Sequence, residues 1–275
     1  MSPEKRPLGR RVVFITGASS GIGAGLAAEL GGRGDAVGLI ARRGDLLAQQ
    51  VQTLRARGIV AAAATADVTD PEALGAAVRQ LEAELGPCEV MIANAGGGRA
   101  SPATAVPVAD TLDCMRLNYD GAVYSLGAVL PGMLARGSGH LVAISSVAAW
   151  RGLPGAGAYS AAKAAISTLL DAWRADLRPR GISVTVVHPG FVHTPMTARA
   201  RHPLPFLLST EAAARIIANA VDRRAARCDF PFRMRLLMGF ATFIPDFLWA
   251  RLPIPHPIKD PPQPETRGTL PGSRD

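Results

Sequence analysis

The sequence predicts an α/β fold built on one doubly wound parallel sheet. Two observations carry that prediction. Short apolar, β-branched runs alternate with longer segments of helical periodicity as far as Gly190. The runs are also apolar at nearly every position rather than at every second one, as strands covered on both faces must be.

Taken in order, RVVFIT (11–16) reads as a strand and GIGAGLAAELGGRG, from Gly21, as the helix after it. AVGLIA (36–41) is the second strand, followed by the helix DLLAQQVQTLRARG. IVAAAATA (59–66) is a weaker third strand, with a helix from Asp70 to about Leu85. CEVMIAN (88–94) is a strand, and a long helical region spans about Val108 to Arg136. GHLVAISS (139–146) is the fifth strand, Ala158 to Leu177 a helix, and GISVTVVHPG (181–190) a sixth strand. Right-handed crossovers then place any ligand at the carboxyl ends of the strands, where the strand order reverses.

Beyond Gly190 the pattern changes. Residues 191–208 form a loop with Pro195, Pro203 and Pro205, and 209–225 a helix capped by Ser209 or Thr210, with Glu211 in its first turn. FRMRLLMGFATFIPDFLWARL (232–252) predicts two short helices broken at Pro245 and Asp246. The expected organisation is an N-terminal segment (1–10), one α/β domain (11–230), an apolar helical extension (231–252) and a proline-rich tail, extended or disordered (253–275).

Bulk properties exclude several classes. A chain of 275 residues with 48% hydrophobic residues can bury a large single core. No window of 18 residues is free of charge and proline, and the polar N-terminus has no secretory h-region. Cys88, Cys114 and Cys228 have neither disulfide-framework nor metal spacing, which fits a reducing cytoplasm and no metal site. The net charge of +8 comes from scattered arginines with no basic helix interleaved with aromatics, so nucleic acid is not expected as a partner.

The first strand runs into TGASSGIG (16–23). Gly17, Gly21 and Gly23 permit a tight turn that lets the backbone approach a pyrophosphate at a helix N-terminus. The residues of that loop, Ser19, Ser20 and Ile22 included, are candidates for cofactor binding. The second strand ends in LIARR, with Ala41 where an acid would bind a ribose 2′-hydroxyl, followed by Arg42 and Arg43. Guanidinium groups there suit a 2′-phosphate, which points to NADP(H) over NAD.

GAYSAAKAA (157–165) places Tyr159 four residues before Lys163, on one helix face, in a chain with only three tyrosines. A neighbouring ammonium is expected to lower the phenol pKa toward the range of useful acid–base chemistry. In this setting the chain resembles the short-chain dehydrogenase/reductase family over about residues 10–195. The matching motifs are Thr16, Gly17, Gly21 and Gly23; Asp67-Val68; ANAG (Ala93 to Gly96); Asn118; Ser146; Tyr159 and Lys163; Pro189-Gly190; and Thr194. One departure is Ala93, where the family most often has a second asparagine.

The resemblance implies a Rossmann fold and a catalytic tetrad of Asn118, Ser146, Tyr159 and Lys163. It implies that Asp67 and Val68 border the adenine, that Asn94, Ala95, Gly96, Pro189 and Gly190 adjoin the cofactor, and that Val192 and Thr194 hold its carboxamide. In that scheme Ser146 binds the substrate oxygen, Tyr159 exchanges its proton, Lys163 also holds the nicotinamide ribose, and Asn118 holds a water. Ser145 is expected to point to the other side of its strand. His188 and His193 match no catalytic position and are read as structural.

The expected activity is NADP(H)-dependent interconversion of a ketone or aldehyde and an alcohol, in the reducing direction. An NAD-linked alcohol dehydrogenase and a non-catalytic dinucleotide sensor are the alternatives. The substrate wall is expected from 96–104, 148–157 and 191–208, with Trp150, Leu153, Phe191, Met196, Phe206 and Leu207 making it lipophilic. The resemblance implies a homodimer or homotetramer. The 232–252 segment is expected to serve as a lid or subunit interface, with a membrane-surface anchor as the alternative.

Overall fold

The computed structural model describes residues 10–98, 102–105, 108–199 and 203–252. The predicted N-terminal segment up to residue 9 and the proline-rich tail lie outside the described residues, as do 99–101 and 200–202 of the predicted site walls.

The elements run β1 (Val12–Thr16), α1 (Gly21–Gly32), β2 (Ala36–Ala41), α2 (Gly44–Ala56), β3 (Ala61–Thr65), α3 (Pro71–Leu85), β4 (Val90–Ala93) and α4 (Val108–Met115). They continue with α5 (Gly121–Arg136), β5 (Gly139–Ile144), α6 (Gly157–Leu177), β6 (Ile182–Pro189), α7 (Thr210–Asp222), β7 (Arg227–Phe230), α8 (Phe232–Ala241) and α9 (Asp246–Trp249). All pairings in the sheet are parallel, in the order β3-β2-β1-β4-β5-β6-β7.

Successive side chains of each strand point to opposite faces, so one strand feeds two cores. Phe14 and Met91 face Leu81, Leu126 and Leu170 on one side. Ile15 and Leu39 face Leu26, Leu54 and Ile217 on the other. Each such fully buried side chain contributes on the order of 1.5–3 kcal/mol of transfer free energy. Local signals set the helix starts. The Asp70 carboxylate accepts the N–H groups of Glu72 and Ala73 at 3.0 Å each, with Pro71 in the first position of α3. At α7 the Ser209 hydroxyl accepts the Ala212 N–H at 3.1 Å, so Ser209 is the cap.

Two features differ from the sequence expectation. A seventh strand, β7, pairs with β6 where only six strands are predicted. Its RCDF sequence carries two charges and only four residues, which is how short edge strands look and why hydropathy misses them. The helical region 108–136 is also not uniform. Between α4 and α5 the chain makes one π turn, Arg116–Asp120, centred on Asn118. Such turns widen a helix and re-aim a side chain.

The strand order reverses between β1 and β4. Their carboxyl ends diverge into the glycine loop and the ANAG segment, and the candidate site lies between them.

Candidate active site

The glycine loop is fixed from below. The Thr16 hydroxyl accepts the N–H groups of Asn94 and Ala95 at 3.1 and 3.2 Å, and the Asn94 side-chain amide donates to the Thr16 carbonyl at 2.9 Å. Gly17 adopts φ +66°, and a Cβ there would lie 2.7 Å from Ala95 Cα, so only glycine fits. At Gly23 a Cβ would meet the Gly17 carbonyl oxygen. The helix that follows has no side-chain cap at Ser20 and no acid in its first turn. Its N-terminal N–H groups therefore remain suited to an anion.

The two arginines after β2 are not equivalent. Arg43 Nη2 donates to the hydroxyls of Ser19 and Ser20, 2.8 Å each, which places its charge on the glycine loop. Arg42 reaches Asp67 at 3.5 Å and is 70% exposed. Burial works against the Asp67 carboxylate, but hydrogen bonds from Thr69 and the charge of Arg42 hold it below its usual range. Val68 is buried instead against Gly121 at the start of α5.

A single cavity of about 470 Å³ joins this loop to the tetrad region. Gly17, Ser20, Gly21 and Ile22 line one end, with Asn94, Ala95 and Gly96 beside them. Ser146, Tyr159 and Lys163 line it too, as do Pro189, Gly190, Val192 and Thr194, the last packed beside Gly21. Among the predicted site residues, Ser19, Gly23, Arg42, Arg43, Asp67, Val68 and Asn118 are not part of that lining.

Asn118 sits just behind it. Its side-chain N–H groups donate to the carbonyls of Gly97 at 2.7 Å and Cys114 at 3.0 Å, while its Oδ1 accepts the Gly97 N–H at 3.2 Å. The π turn thus clamps the ANAG segment. Gly96 lies so close that a Cβ there would stand 2.6 Å from Asn118 Oδ1 and 3.2 Å from Lys163 Nζ.

Lys163 is buried in α6, and its Nζ donates to the Ile144 carbonyl at the end of β5, 2.8 Å away. The backbone carbonyl of Lys163 is held by the hydroxyls of Ser145, at 2.9 Å, and Ser167, at 2.7 Å. Ser145 is thus turned into α6, whereas Ser146, whose hydroxyl accepts the Ala148 N–H at 3.1 Å, lines the cavity with Tyr159. Burial pushes Lys163 down to about 8. Tyr159 keeps one face open to the cavity yet is otherwise surrounded by protein, and burial pushes its phenol up to about 12 against the pull of the Ser146 hydrogen bond.

This reverses the expected direction for Tyr159. The lysine nitrogen lies 5.6 Å from the ring centroid and is engaged by Ile144, so desolvation outweighs it. Both residues are therefore biased toward their neutral forms in the protein alone.

The wall beyond the tetrad is apolar. Leu153, Phe191 and Met196 contribute as expected, but Met234, Leu237 and Met238 of α8 complete it. Of the other predicted wall residues, Trp150 packs behind Val147, Met234 and Met238, while Phe206 and Leu207 are 40% and 44% exposed and do not line the cavity. The 191–208 loop is rich in apolar residues, but of Phe191, Met196, Phe206 and Leu207, expected in the wall, only Phe191 and Met196 face the cavity. Only the return of the chain at β7 brings α8 to the site. Thr197, absent from the motifs, orders the loop: its hydroxyl donates to the Val192 carbonyl at 2.7 Å and accepts the Thr194 N–H at 2.9 Å. A Ser/Thr turn of this kind is the only sequence signal that could have found it.

His188 is buried at the end of β6, with Nδ1 2.7 Å from Asp229 and Nε2 3.1 Å from the Ser167 hydroxyl, while His193 is exposed. Among the described residues no group of three or more His, Cys, Asp or Glu could hold a metal ion.

Fold and cavity define an α/β protein with a phosphate-type glycine loop opening onto a Ser-Tyr-Lys cluster. The chain belongs to the short chain dehydrogenase family, whose model matches residues 11–204, and it is an NAD(P)-dependent dehydrogenase or reductase. It is 39% identical over 243 residues to an uncharacterised oxidoreductase of Myxococcus xanthus, covering 87% of this chain and 94% of that one. It is 33% identical to 1-deoxy-11-beta-hydroxypentalenate dehydrogenase of Streptomyces exfoliatus, covering 93% and 92% of the two chains. A crystal structure of an actinorhodin polyketide ketoreductase variant with NADPH matches with a TM-score of 0.73 and 28% identity, over 80% of this chain and 94% of that one.

Proposed function

We propose that this enzyme reduces the carbonyl of an apolar ketone or aldehyde with NADPH. The observation that carries the reading is one cavity lined together by the glycine loop, by Ser146, Tyr159 and Lys163, and by an apolar wall.

The residues fit a phosphorylated dinucleotide. Gly17 and Gly96 line the cavity with backbone alone, and the uncapped start of α1 offers N–H groups free of competing acid. Arg43, set between Ser19 and Ser20, would meet a 2′-phosphate, with Arg42 alongside. Asp67, Asn94 and Ala95 would flank the adenine and ribose side, and Pro189, Gly190, Val192 and Thr194 the nicotinamide side. When bound, the reduced nicotinamide supplies hydride, which no side chain can do.

The chain's own residues do the rest. The Ser146 hydroxyl hydrogen-bonds the substrate oxygen and stabilises charge developing there. Tyr159 donates its phenolic proton to that oxygen, acting as general acid. Protonated Lys163 steadies the tyrosinate left behind, and its buried position keeps that interaction strong. Asn118 holds Gly97 in place and so fixes the segment beside Lys163. A polyketide ketoreductase that holds NADPH is among the similar structures, which supports both the cofactor and the reducing direction. Exposed Val108 and Leu112 on α4 and Tyr124 on α5 support a homo-oligomer formed through that side of the molecule.

Initial rates of NADPH and NADH oxidation with ketones of increasing alkyl length test the reading. The expected result is turnover with NADPH, weaker turnover with NADH, and a KM that falls as the alkyl chain lengthens. Preference for NADH, or for short polar carbonyls, would overturn it.

A further inference from the structure

Helix α8 is apolar on both faces, yet among the described residues only one face is covered. Met234, Met238 and Ala241 are buried, and the two methionines line the cavity. The opposite face carries Phe232, Leu236 and Phe240, at 64%, 45% and 71% exposure. The chain then continues through Phe243, 84% exposed, to Phe247 and Leu248 of α9, also exposed. A patch of this kind on a soluble protein marks a binding surface.

Charge is arranged around it. Arg233 lies 5.8 Å over the Phe206 ring and Arg235 5.9 Å over the Phe232 ring, both exposed. Arg251 stands at the far end. The one acid of the segment, Asp246, is paired with Arg151 at 2.7 Å. Arg151 also lies over Trp249, whose indole N–H donates to the Gly152 carbonyl at 3.1 Å, so α9 is fastened to the loop above the site.

The structure assigns this face to the surface of an anionic lipid bilayer. Aromatic and aliphatic side chains would enter the headgroup–acyl boundary while the arginines meet lipid phosphates. Two other occupants fit less well. A second copy docked on the same patch about a two-fold axis would bring like charges together, with Asp246 already engaged. The tail from residue 253 holds no Phe, Tyr or Trp and only Ile254, Ile258 and Leu270 as large aliphatic residues, too few to cover the patch. No described helix is long and apolar enough to cross a membrane, and α8 has ten residues, so the contact is with the surface only.

The same helix therefore serves as cavity wall on its inner face and lipid contact on its outer face. If the proposed reduction of apolar carbonyls holds, substrate would pass from lipid past Leu237, which is half exposed and also lines the cavity. Docking itself does not depend on that reading.

The test is co-sedimentation of the full chain with vesicles of phosphatidylcholine alone or mixed with phosphatidylglycerol, at low and high salt. Wild type is expected in the pellet with mixed vesicles at low salt, and released as salt rises. A Phe240→Ser/Phe243→Ser/Phe247→Ser variant should lose at least ~tenfold in partition, and Arg233→Glu/Arg235→Glu should lose the preference for anionic lipid. Circular dichroism melting shows that each variant is folded, and the arginine pair serves if the phenylalanine variant is not. Wild type left in the supernatant at low salt would overturn the assignment. So would variants that bind as well as wild type, or a dimer in gel filtration that the phenylalanine variant converts to monomer. Failure of the carbonyl reading would appear in the turnover assay and leave sedimentation unchanged.

Discussion

Lys163 Nζ lies 5.6 Å from the centre of the Tyr159 ring and spends a hydrogen bond on the Ile144 carbonyl. The pair shares one helix face and one cavity, but burial works on the two in opposite directions, raising the phenol and lowering the ammonium.

Lys163 should leave a signature in stability against pH. Its folded value of about 8 lies below the ordinary 10.5, so between those limits the unfolded chain holds a proton that the folded chain lacks. Its contribution to stability therefore rises as pH climbs through that window. Denaturant melts of wild type and Lys163→Met at a series of pH values should show the difference between them growing in favour of wild type from pH ~8 to ~10.5. A difference that is flat with pH would show that Lys163 is not buried as described.

Arg43, rather than Arg42, should dominate the choice of cofactor, because only Arg43 is held on the glycine loop. Arg43→Ala should weaken NADPH binding by ~tenfold or more, as expected when charge-assisted hydrogen bonds are lost, and leave NADH nearly unchanged. Fluorescence titration of both cofactors against Arg43→Ala and Arg42→Ala separates the roles. Equal losses for NADPH and NADH would count against phosphate recognition.

Gly96→Ala tests the clamp. The added methyl would press on Asn118 Oδ1 and approach Lys163 Nζ. Overpacking of this sort costs about 1–3 kcal/mol, and the displaced amide should also disturb the site. Thermal unfolding and cofactor titration should both report a loss. A variant as stable as wild type would mean that the π turn has more room than the geometry allows.

Much of this was legible in the sequence because it is local. The glycine loop, the i,i+4 pair and the buried strands announce themselves within a few residues, and each forms where it is expected. What was not legible depends on long-range return of the chain. β7 is a charged edge strand whose only reason to exist is the neighbouring β6. Met234 and Met238 reach the cavity because β7 brings α8 back, and Gly190 leaves just enough room for Met234 and Pro231. Spacing likewise reveals Lys163 as a neighbour of Tyr159 but not the depth of burial around the phenol, which is what drives its pKa up.

Tyr159 is the proposed source of the proton. Tyr159→Phe keeps the ring and its packing and removes only the hydroxyl. Steady-state turnover of an apolar ketone with NADPH, measured beside NADPH binding by the same protein, tests it most directly. Turnover should fall at least ~100-fold while cofactor affinity stays within about twofold. A phenylalanine variant that keeps more than about a tenth of wild-type turnover would contradict the assignment of Tyr159 as general acid.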